Sequence, residues 1–243
     1  MKKLTFLALA LAVVMTTGNL VAVADTNHLT GKIIALDIGH DEGEYGASNV
    51  INGVLVTEAE VNLSVVNALK LKLVGQQAYV VVASQLATRR EIVNDAIAKC
   101  AAFDLNNDGI GDKCDVLVSV HHNGSTNADY DGTLVIYNEK KDKPLAEKML
   151  AALTPLTGNG DGLLNGGYGM TVYGNLISVI TEAYFITNDC EAELYLYKTT
   201  ISPSCNKTIY PDGDRVDQEA QLQVNGLNNY FASQTGGKGG KPR

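Results

Sequence analysis

Short apolar segments rich in β-branched residues alternate along this chain with longer segments whose apolar residues recur at helical spacing. In the first of the longer segments, apolar side chains stand four residues apart, at Val61, Val65, Leu69 and Leu73. That spacing places them on one helix face. Strands that alternate with helices predict a sheet with helices on both faces. We therefore expect a single α/β domain.

The predicted elements are read from apolar pattern and turn residues alone. The strand-like segments are Lys32–Asp37, Ala78–Ala83, Asp115–Val120, Gly132–Tyr137 and Leu176–Glu182. The helix-like segments are Glu58–Leu73, Arg89–Ala101, Pro144–Leu153 and Asp217–Phe231. The Gly-rich stretch Asn159–Gly169 separates two of these elements, and we expect it to be a flexible loop at the substrate cleft.

The N-terminus has the pattern of an export signal. M-K-K-L-T precedes an apolar run, and the small residues A-V-A end it at Ala22–Ala24, so residues 1–24 are predicted to be a secretory signal peptide. A membrane anchor needs about 18 uninterrupted apolar residues, whereas residues 16–19 are T-T-G-N. We expect a secreted protein, periplasmic or extracellular, without a membrane-spanning segment. Its domain should cover residues 25–232, and the Gly- and Lys-rich residues 233–243 should be a disordered tail.

The charge and the cysteines narrow the class of protein further. The formal net charge is −8 at pH 7, which argues against nucleic acid or an anionic membrane as a partner held by charge. An even number of cysteines in an exported chain predicts disulfides. The sequence-local pairing, favoured among three possibilities, joins Cys100 to Cys114 and Cys190 to Cys205. Each bridge would close a loop of about 15 residues and stabilise the fold by ~3 kcal/mol.

Residues able to bind a metal stand at the ends of predicted strands. His40, His121 and Glu182 each lie at or just after such an end, and sites in α/β sheets gather beyond the carboxyl ends of the strands. Two histidines and one carboxylate are a common zinc ligand set with an open position, and a further carboxylate can act as general base. The alternative is that each histidine is structural and that Glu58 and Glu60 are a solvated first helical turn.

Four motifs in order strengthen the metal hypothesis. They are L-D-I-G-H (Leu36–His40), T-E-A-E-V-N-L (Thr57–Leu63), S-V-H-H-N (Ser119–Asn123) and I-T-E-A-Y-F-I-T-N (Ile180–Asn188). Together they resemble the zinc-dependent N-acetylmuramoyl-L-alanine amidases of the amidase_3 family, whose pattern runs D-P-G-H-G-G, G-L-x-E-x-x-x-N-L, S-I-H-A-N and V-E-x-G-F-x-S-N. An R-x-x-x-x-N element of that family also matches, at Arg89 and Asn94. Ile38 replaces the proline of the first motif, and Asp41-Glu42 replaces its glycine pair, which bears on loop shape and substrate fit.

The resemblance implies a fold, a ligand set and a reaction. The fold would be a twisted, mostly six-stranded sheet. Zinc would be held by His40, Glu58 and His121, with Glu182 as the catalytic base, while His122 falls on the family's alanine and has no assigned role. The reaction would be hydrolysis of the amide between N-acetylmuramic acid and L-alanine, so the partner would be peptidoglycan or muropeptides. The alternatives are a zinc peptidase or deacylase acting on another amide, and a catalytically silent wall-binding module.

A second metal site is predicted between residues 104 and 115. D-L-N-N-D-G-I-G-D-K-C-D is similar to the calcium loops of thrombospondin type 3 repeats and dockerins, with hard oxygen atoms at the offsets that calcium requires. The expected calcium ligands are Asp104, Asn106, Asp108, Ile110, Asp112 and Asp115. The alternative is a polar turn with several Asx caps. The Cys190–Cys205 segment shows no metal pattern and is interpreted as a stapled insertion.

Overall fold

The computed structural model describes residues 26–41, 43–198 and 214–235. The predicted signal peptide, residues 1–24, lies outside the described residues, and so does Cys205 of the predicted Cys190–Cys205 bridge. None of the described helices is long and apolar enough to cross a membrane.

The described residues form a six-stranded sheet with strand order β4-β1-β5-β8-β6-β7 and a separate two-stranded hairpin, β2-β3. The strands are β1 (Ile33–Ile38), β2 (Ser48–Ile51), β3 (Val54–Thr57), β4 (Tyr79–Val82), β5 (Val116–Asn123), β6 (Thr133–Tyr137), β7 (Gly160–Asn165) and β8 (Ser178–Phe185). Neighbouring strands of the large sheet are parallel except β6 and β8, which are antiparallel. The sheet is therefore mixed, and the predicted single α/β domain is confirmed.

Helices cover both faces of the sheet, as predicted. They are α1 (Glu58–Gly75), α2 (Arg89–Cys100), α3 (Lys143–Leu153), α4 (Asp189–Tyr197) and α5 (Arg215–Thr235). Alternation along β1 divides the core in two: Ile34 and Leu36 pack in the larger apolar cluster with residues of α1, α3 and α5, whereas Ile33 and Ala35 pack in the smaller one with residues of α2. The central strands β1, β5 and β8 are thus buried on both faces, which explains their continuous apolar sequence.

Side-chain caps determine where two helices begin. The Thr57 hydroxyl accepts a hydrogen bond from the Glu60 backbone N–H at 3.3 Å, so α1 begins at Glu58. Thr88 and Glu91 form a reciprocal capping box at the start of α2. The Thr57 cap matters for the predicted site, because it places Glu58 in the first turn of α1, beside the end of β1.

The Cys100–Cys114 disulfide predicted from the sequence is confirmed. Its Cα atoms lie 5.3 Å apart, and it joins the last residue of α2 to the segment that enters β5. Because β5 carries His121, the bridge holds the loop that leads into a strand of the candidate site. No described cysteine is free.

Two sequence-based interpretations are wrong in detail. Residues 160–165 of the predicted flexible loop form the edge strand β7, because their backbone pairs with β6 despite the glycines. The first residues of the segment interpreted as a stapled insertion lie in helix α4, which the Asn188 side chain caps, and the staple itself stays a prediction. Helix α5 continues to Thr235, so the first residues of the predicted disordered tail are helical.

Candidate metal centre

Three side chains from three elements converge at the edge of the sheet. His40 follows β1, Glu58 opens α1, and His121 lies in β5. Glu58 Oε1 is 3.0 Å from His121 Nδ1 and 3.3 Å from His40 Nε2. Potential ligand atoms of the three residues all lie within 4.8 Å of one another, and no other such group of three occurs in the described part of the chain. The structure therefore brings together the three residues predicted to bind zinc.

Glu58 is held as an anion at the centre of this group. Its Oε2 accepts a hydrogen bond from the Ala47 backbone N–H at 2.9 Å, and its Oε1 accepts one from the His122 backbone N–H at 3.1 Å. Burial alone would raise the pKa of Glu58, but hydrogen bonds from His121, His40 and Ala47 outweigh it and hold the pKa far below its usual range. In return, the hydrogen bond to Glu58 raises the pKa of His40, and burial opposes that rise only in part.

Two glycines leave room for the converging side chains. A Cβ on Gly39 would lie 2.5 Å from ring atoms of His121, closer than two non-bonded atoms can approach. A Cβ on Gly46 would lie 2.3 Å from Glu58 Oε2, and this glycine also has a φ of +68°, which L side chains rarely adopt. Both glycines are therefore required by close packing around the group.

The group fits zinc. Two imidazoles and one carboxylate are a ligand set that leaves the fourth tetrahedral position free for water or substrate. Three ligand atoms crowded this closely need shared protons or a cation between them, because their lone pairs otherwise repel. His40 Nδ1 is in addition buried and has no hydrogen-bond partner among the described residues.

The predicted base lies beside this group. Glu182 on β8 is the register partner of His121 on β5, and register partners on parallel strands point to the same face of a sheet. Glu182 Oε2 is buried and has no partner among the described residues. Burial, and secondarily the negative charge of Glu58, raise the pKa of Glu182 from 4.5 to about 8. A raised carboxyl pKa beside a metal-competent group is typical of a catalytic acid–base residue.

Two open cavities of about 280 Å³ each flank His40. The cavity on the Glu182 side is lined by His40, Arg89, His121, Ile136, Tyr168, Gly169, Met170, Ile180 and Glu182. The other is lined by Ile38, His40, Asp41, Tyr45, Thr57, Ala59, Glu60, Leu63 and Gln85. The first cavity contains the Arg89 guanidinium group beside Glu182, whereas the second contains the carboxyl groups of Asp41 and Glu60 and, of the described residues, no Arg or Lys side chain. Tyr168 is a lining residue that the sequence motifs did not indicate.

The two adjacent histidines point to opposite faces of β5. His121 faces the metal-competent group, whereas His122 is buried on the other side, as alternation along a strand requires. The His122 ring lies 2.6 Å from Asn62 Oδ1 through Nδ1 and 2.8 Å from Glu219 Oε2 through Nε2. It also packs on the Tyr184 ring, with centroids 4.2 Å apart. His122 therefore belongs to a buried polar network rather than to the open cavity.

The loop predicted to bind calcium is arranged differently from what the expected set of ligands requires. Asp104 accepts hydrogen bonds from the backbone of Asp108 and Gly109, at 3.0 and 2.9 Å, as in an Asx-capped turn. Asp115 is turned toward β1, where it accepts a hydrogen bond from the Ile33 backbone N–H at 2.8 Å and pairs with Lys32 at 3.5 Å. The structure thus does not bring Asp115 to the other expected ligands. Calcium binding by this loop stays a prediction from the sequence.

Comparison with known proteins identifies the family to which this sequence is similar. The model of a family described as Amidase_3, N-acetylmuramoyl-L-alanine amidase, matches residues 34–209. No curated protein matches this chain. Among solved structures, the catalytic domain of CwlV, an N-acetylmuramoyl-L-alanine amidase from Bacillus (Paenibacillus) polymyxa var. colistinus, is 20% identical, with a TM-score of 0.61 over 83% of this chain and 98% of that one.

Two further structures have the same fold. The N-acetylmuramoyl-L-alanine amidase from Clostridium difficile 630 is 20% identical, with a TM-score of 0.61 over 84% of this chain and 99% of that one. The amidase Ami1 from Mycobacterium smegmatis is 15% identical, with a TM-score of 0.62 over 85% of this chain and 99% of that one. At these identities the structures show the fold, while the family model spans most of the chain, including the three converging side chains and Glu182. This chain belongs to the Amidase_3 family of N-acetylmuramoyl-L-alanine amidases.

Proposed function

We propose that this protein is a secreted zinc hydrolase that cleaves the amide between N-acetylmuramic acid and the L-alanine of peptidoglycan stem peptides. The observation that carries the proposal is the position of Glu182, whose Oε2 is buried without a partner among the described residues, beside two histidines and an anionic glutamate at one sheet edge. Membership of the amidase family supports the choice of amide. The N-terminal export pattern and the Cys100–Cys114 bridge both support a location outside the cytoplasm.

Zinc would be held by His40, Glu58 and His121. When bound, zinc supplies Lewis-acid chemistry, which lowers the pKa of water and polarises the scissile carbonyl. Glu58 provides the negative charge that favours a divalent cation, because its low pKa keeps it ionised at neutral pH. The Ala47 and His122 backbone N–H groups orient both of its oxygens.

Glu182 would move the protons of the reaction. Its carboxylate accepts a proton from the attacking water and then donates it to the nitrogen of the leaving L-alanine. Because burial raises its pKa to about 8 in the metal-free protein, the carboxyl group retains a proton readily enough to return it. The register pairing of Glu182 with His121, one of the three proposed zinc ligands, supports this role.

Arg89 would orient the peptide half of the substrate. It lines the same cavity as Glu182, and a guanidinium group binds a carboxylate through two parallel hydrogen bonds. The free carboxylates of this substrate belong to its stem peptide, because the lactyl carboxyl group of the sugar half forms the scissile amide. We therefore place the stem peptide on the Arg89 side and the sugar on the side of Asp41 and Glu60.

Soluble muropeptides test the proposed activity and separate it from its alternatives. The zinc-loaded protein should split a disaccharide-peptide into an intact disaccharide and a peptide whose free N-terminus is L-alanine. Cleavage at another amide would indicate a zinc peptidase or deacylase. Binding without cleavage, at full zinc occupancy, would indicate a wall-binding module and would refute the proposed chemistry.

A further inference from the structure

A buried chain of hydrogen bonds runs behind the three converging side chains. The Asn62 side-chain amide on α1 donates from Nδ2 to the Gly39 carbonyl at 2.7 Å. Its other atom, Oδ1, lies 2.6 Å from His122 Nδ1. The opposite ring nitrogen of His122 lies 2.8 Å from Glu219 on α5, and both side chains of this second contact are fully buried.

The partners of Asn62 determine which of its two polar atoms donates. Because Asn62 Nδ2 donates to a carbonyl, Asn62 Oδ1 must be the acceptor that faces His122, so Nδ1 of that ring carries the hydrogen. The other ring nitrogen then faces the Glu219 carboxyl group, whose second oxygen accepts from Gln223 Nε2 at 2.8 Å. Each polar atom of Asn62 and each ring nitrogen of His122 thus has a partner. A buried side chain that is paired at both of its polar ends is held in one arrangement.

This chain of hydrogen bonds involves a residue next to, or one helical turn from, each of the three predicted zinc ligands. Gly39 directly precedes His40, Asn62 lies one helical turn after Glu58, and His122 directly follows His121. The backbone N–H of His122 also donates to Glu58 Oε1 at 3.1 Å. The His122 ring thus contacts α1 directly through Asn62, and Asn62 extends the link to Gly39, the residue before His40.

We propose that His122 is a positioning residue, which holds the three ligand segments in register through Asn62 and ties them to helix α5 through Glu219. The inference rests on the proposed metal site, and it gives a role to His122, which is neither a proposed zinc ligand nor the proposed base. Truncation of the ring would leave Asn62 Oδ1 and the Glu219 carboxylate buried without their partner, and either group then draws in water or moves. In both cases Asn62 loses the ring that fixes its orientation, so the Gly39 carbonyl before His40 is held less firmly.

Zinc affinity of the metal-free protein, measured by competition with a chromophoric chelator, tests this role independently of hydrolysis. His122→Ala is expected to weaken zinc binding by about 10- to 100-fold, as for other residues that orient metal ligands. Glu219→Ala should weaken it in the same direction, because it leaves the ring without its anchor. Glu219→Gln keeps a side chain of the same shape whose amide can pair with the ring nitrogen, and it should restore near-normal affinity.

Leu227→Ala is the matched control, since Leu227 is fully buried on the same helix and lies outside the network. It should lower the melting temperature and leave zinc affinity unchanged. If His122→Ala does not fold, the comparison of Glu219→Ala with Glu219→Gln makes the same test. Unchanged zinc affinity in the folded His122→Ala or Glu219→Ala variant would overturn the inference, and so would an equal loss in Leu227→Ala. Failure of the unaltered protein to bind zinc would instead refute the proposed metal site itself.

Discussion

His121 and Glu182 are register partners across the parallel strands β5 and β8. A predicted metal ligand and the predicted base are therefore neighbours through backbone hydrogen bonding and not through a flexible loop. β1, which leads to His40, pairs with β5 on its other side. Three adjacent central strands thus hold the chemistry at one edge of the sheet, where parallel strands of an α/β fold characteristically present their sites.

Replacement of the proposed base should separate metal binding from turnover. Glu182→Gln keeps the shape of the side chain but cannot accept a proton, so kcat should fall by about 10²- to 10⁴-fold. Zinc affinity should stay within a few-fold, because Glu182 is not among the three converging side chains. Glu147→Gln, on the exposed face of α3, is the control and should retain full activity. More than a tenth of normal activity in Glu182→Gln would show that another group is the base.

The raised pKa of Glu182 predicts how pH changes the stability of the metal-free protein. Its pKa is about 8 when folded against 4.5 for the free side chain, so between these values the folded state binds the extra proton. The free energy of unfolding contributed by this group therefore falls as pH rises from about 5 to about 8.

Glu182→Gln removes that contribution, so its stability relative to the unaltered protein should increase from about pH 5 to about pH 8. Urea unfolding with chelator present, at both pH values, measures the difference. A difference that does not change with pH would mean that the folded pKa of Glu182 is not raised.

The close approach of Gly39 to His121 predicts a site-specific effect of a single methyl group. In Gly39→Ala the added Cβ would lie 2.5 Å from the ring, so the imidazole must move, and zinc affinity should fall by about tenfold or more. Gly75→Ala, at the end of α1 and with open space around its Cα, is the control and should bind zinc normally. Normal zinc affinity in Gly39→Ala would show that the ring can shift without consequence.

Arg89 and its neighbour Arg90 offer a matched pair for testing substrate orientation. Arg89 lines the cavity that contains Glu182, whereas the Arg90 guanidinium lies over the Tyr173 ring, 5.0 Å from its centroid. Loss of a charge-assisted hydrogen bond predicts a rise of about tenfold or more in KM for Arg89→Gln, with little change in kcat. Arg90→Gln should leave both constants unchanged. Equal KM values for the two variants would exclude a carboxylate contact at Arg89.

Much of the site was predictable from the sequence, because its residues stand where strand-like apolar runs end. His40, His121 and Glu182 each follow or end a β-branched apolar run, and the capping pattern around Thr57 places Glu58 at a helix start. The alternation of strands and helices was sufficient for the fold class, because βαβ connections favour a largely parallel sheet.

Features that depend on distant pairing were not predictable. The partner of His122 is Glu219, 97 residues away, and no local pattern connects them. Strand β7 is rich in glycine and polar residues, and only its pairing with β6 makes it a strand. The β2-β3 hairpin is different, because Asn52-Gly53 between apolar residues is a strong turn signal. Both turn residues have positive φ, 51° and 82°, so this element could have been predicted.

Digestion of intact, purified peptidoglycan tests the central claim most directly. Free amino groups are labelled before and after treatment, and the labelled termini are identified. The zinc-loaded protein should release stem peptides with a new N-terminal L-alanine, leave the glycan chains intact, and lose this activity when chelator removes the metal. New termini at any other residue, new reducing sugar ends, or undiminished release after metal removal would contradict the proposed zinc amidase.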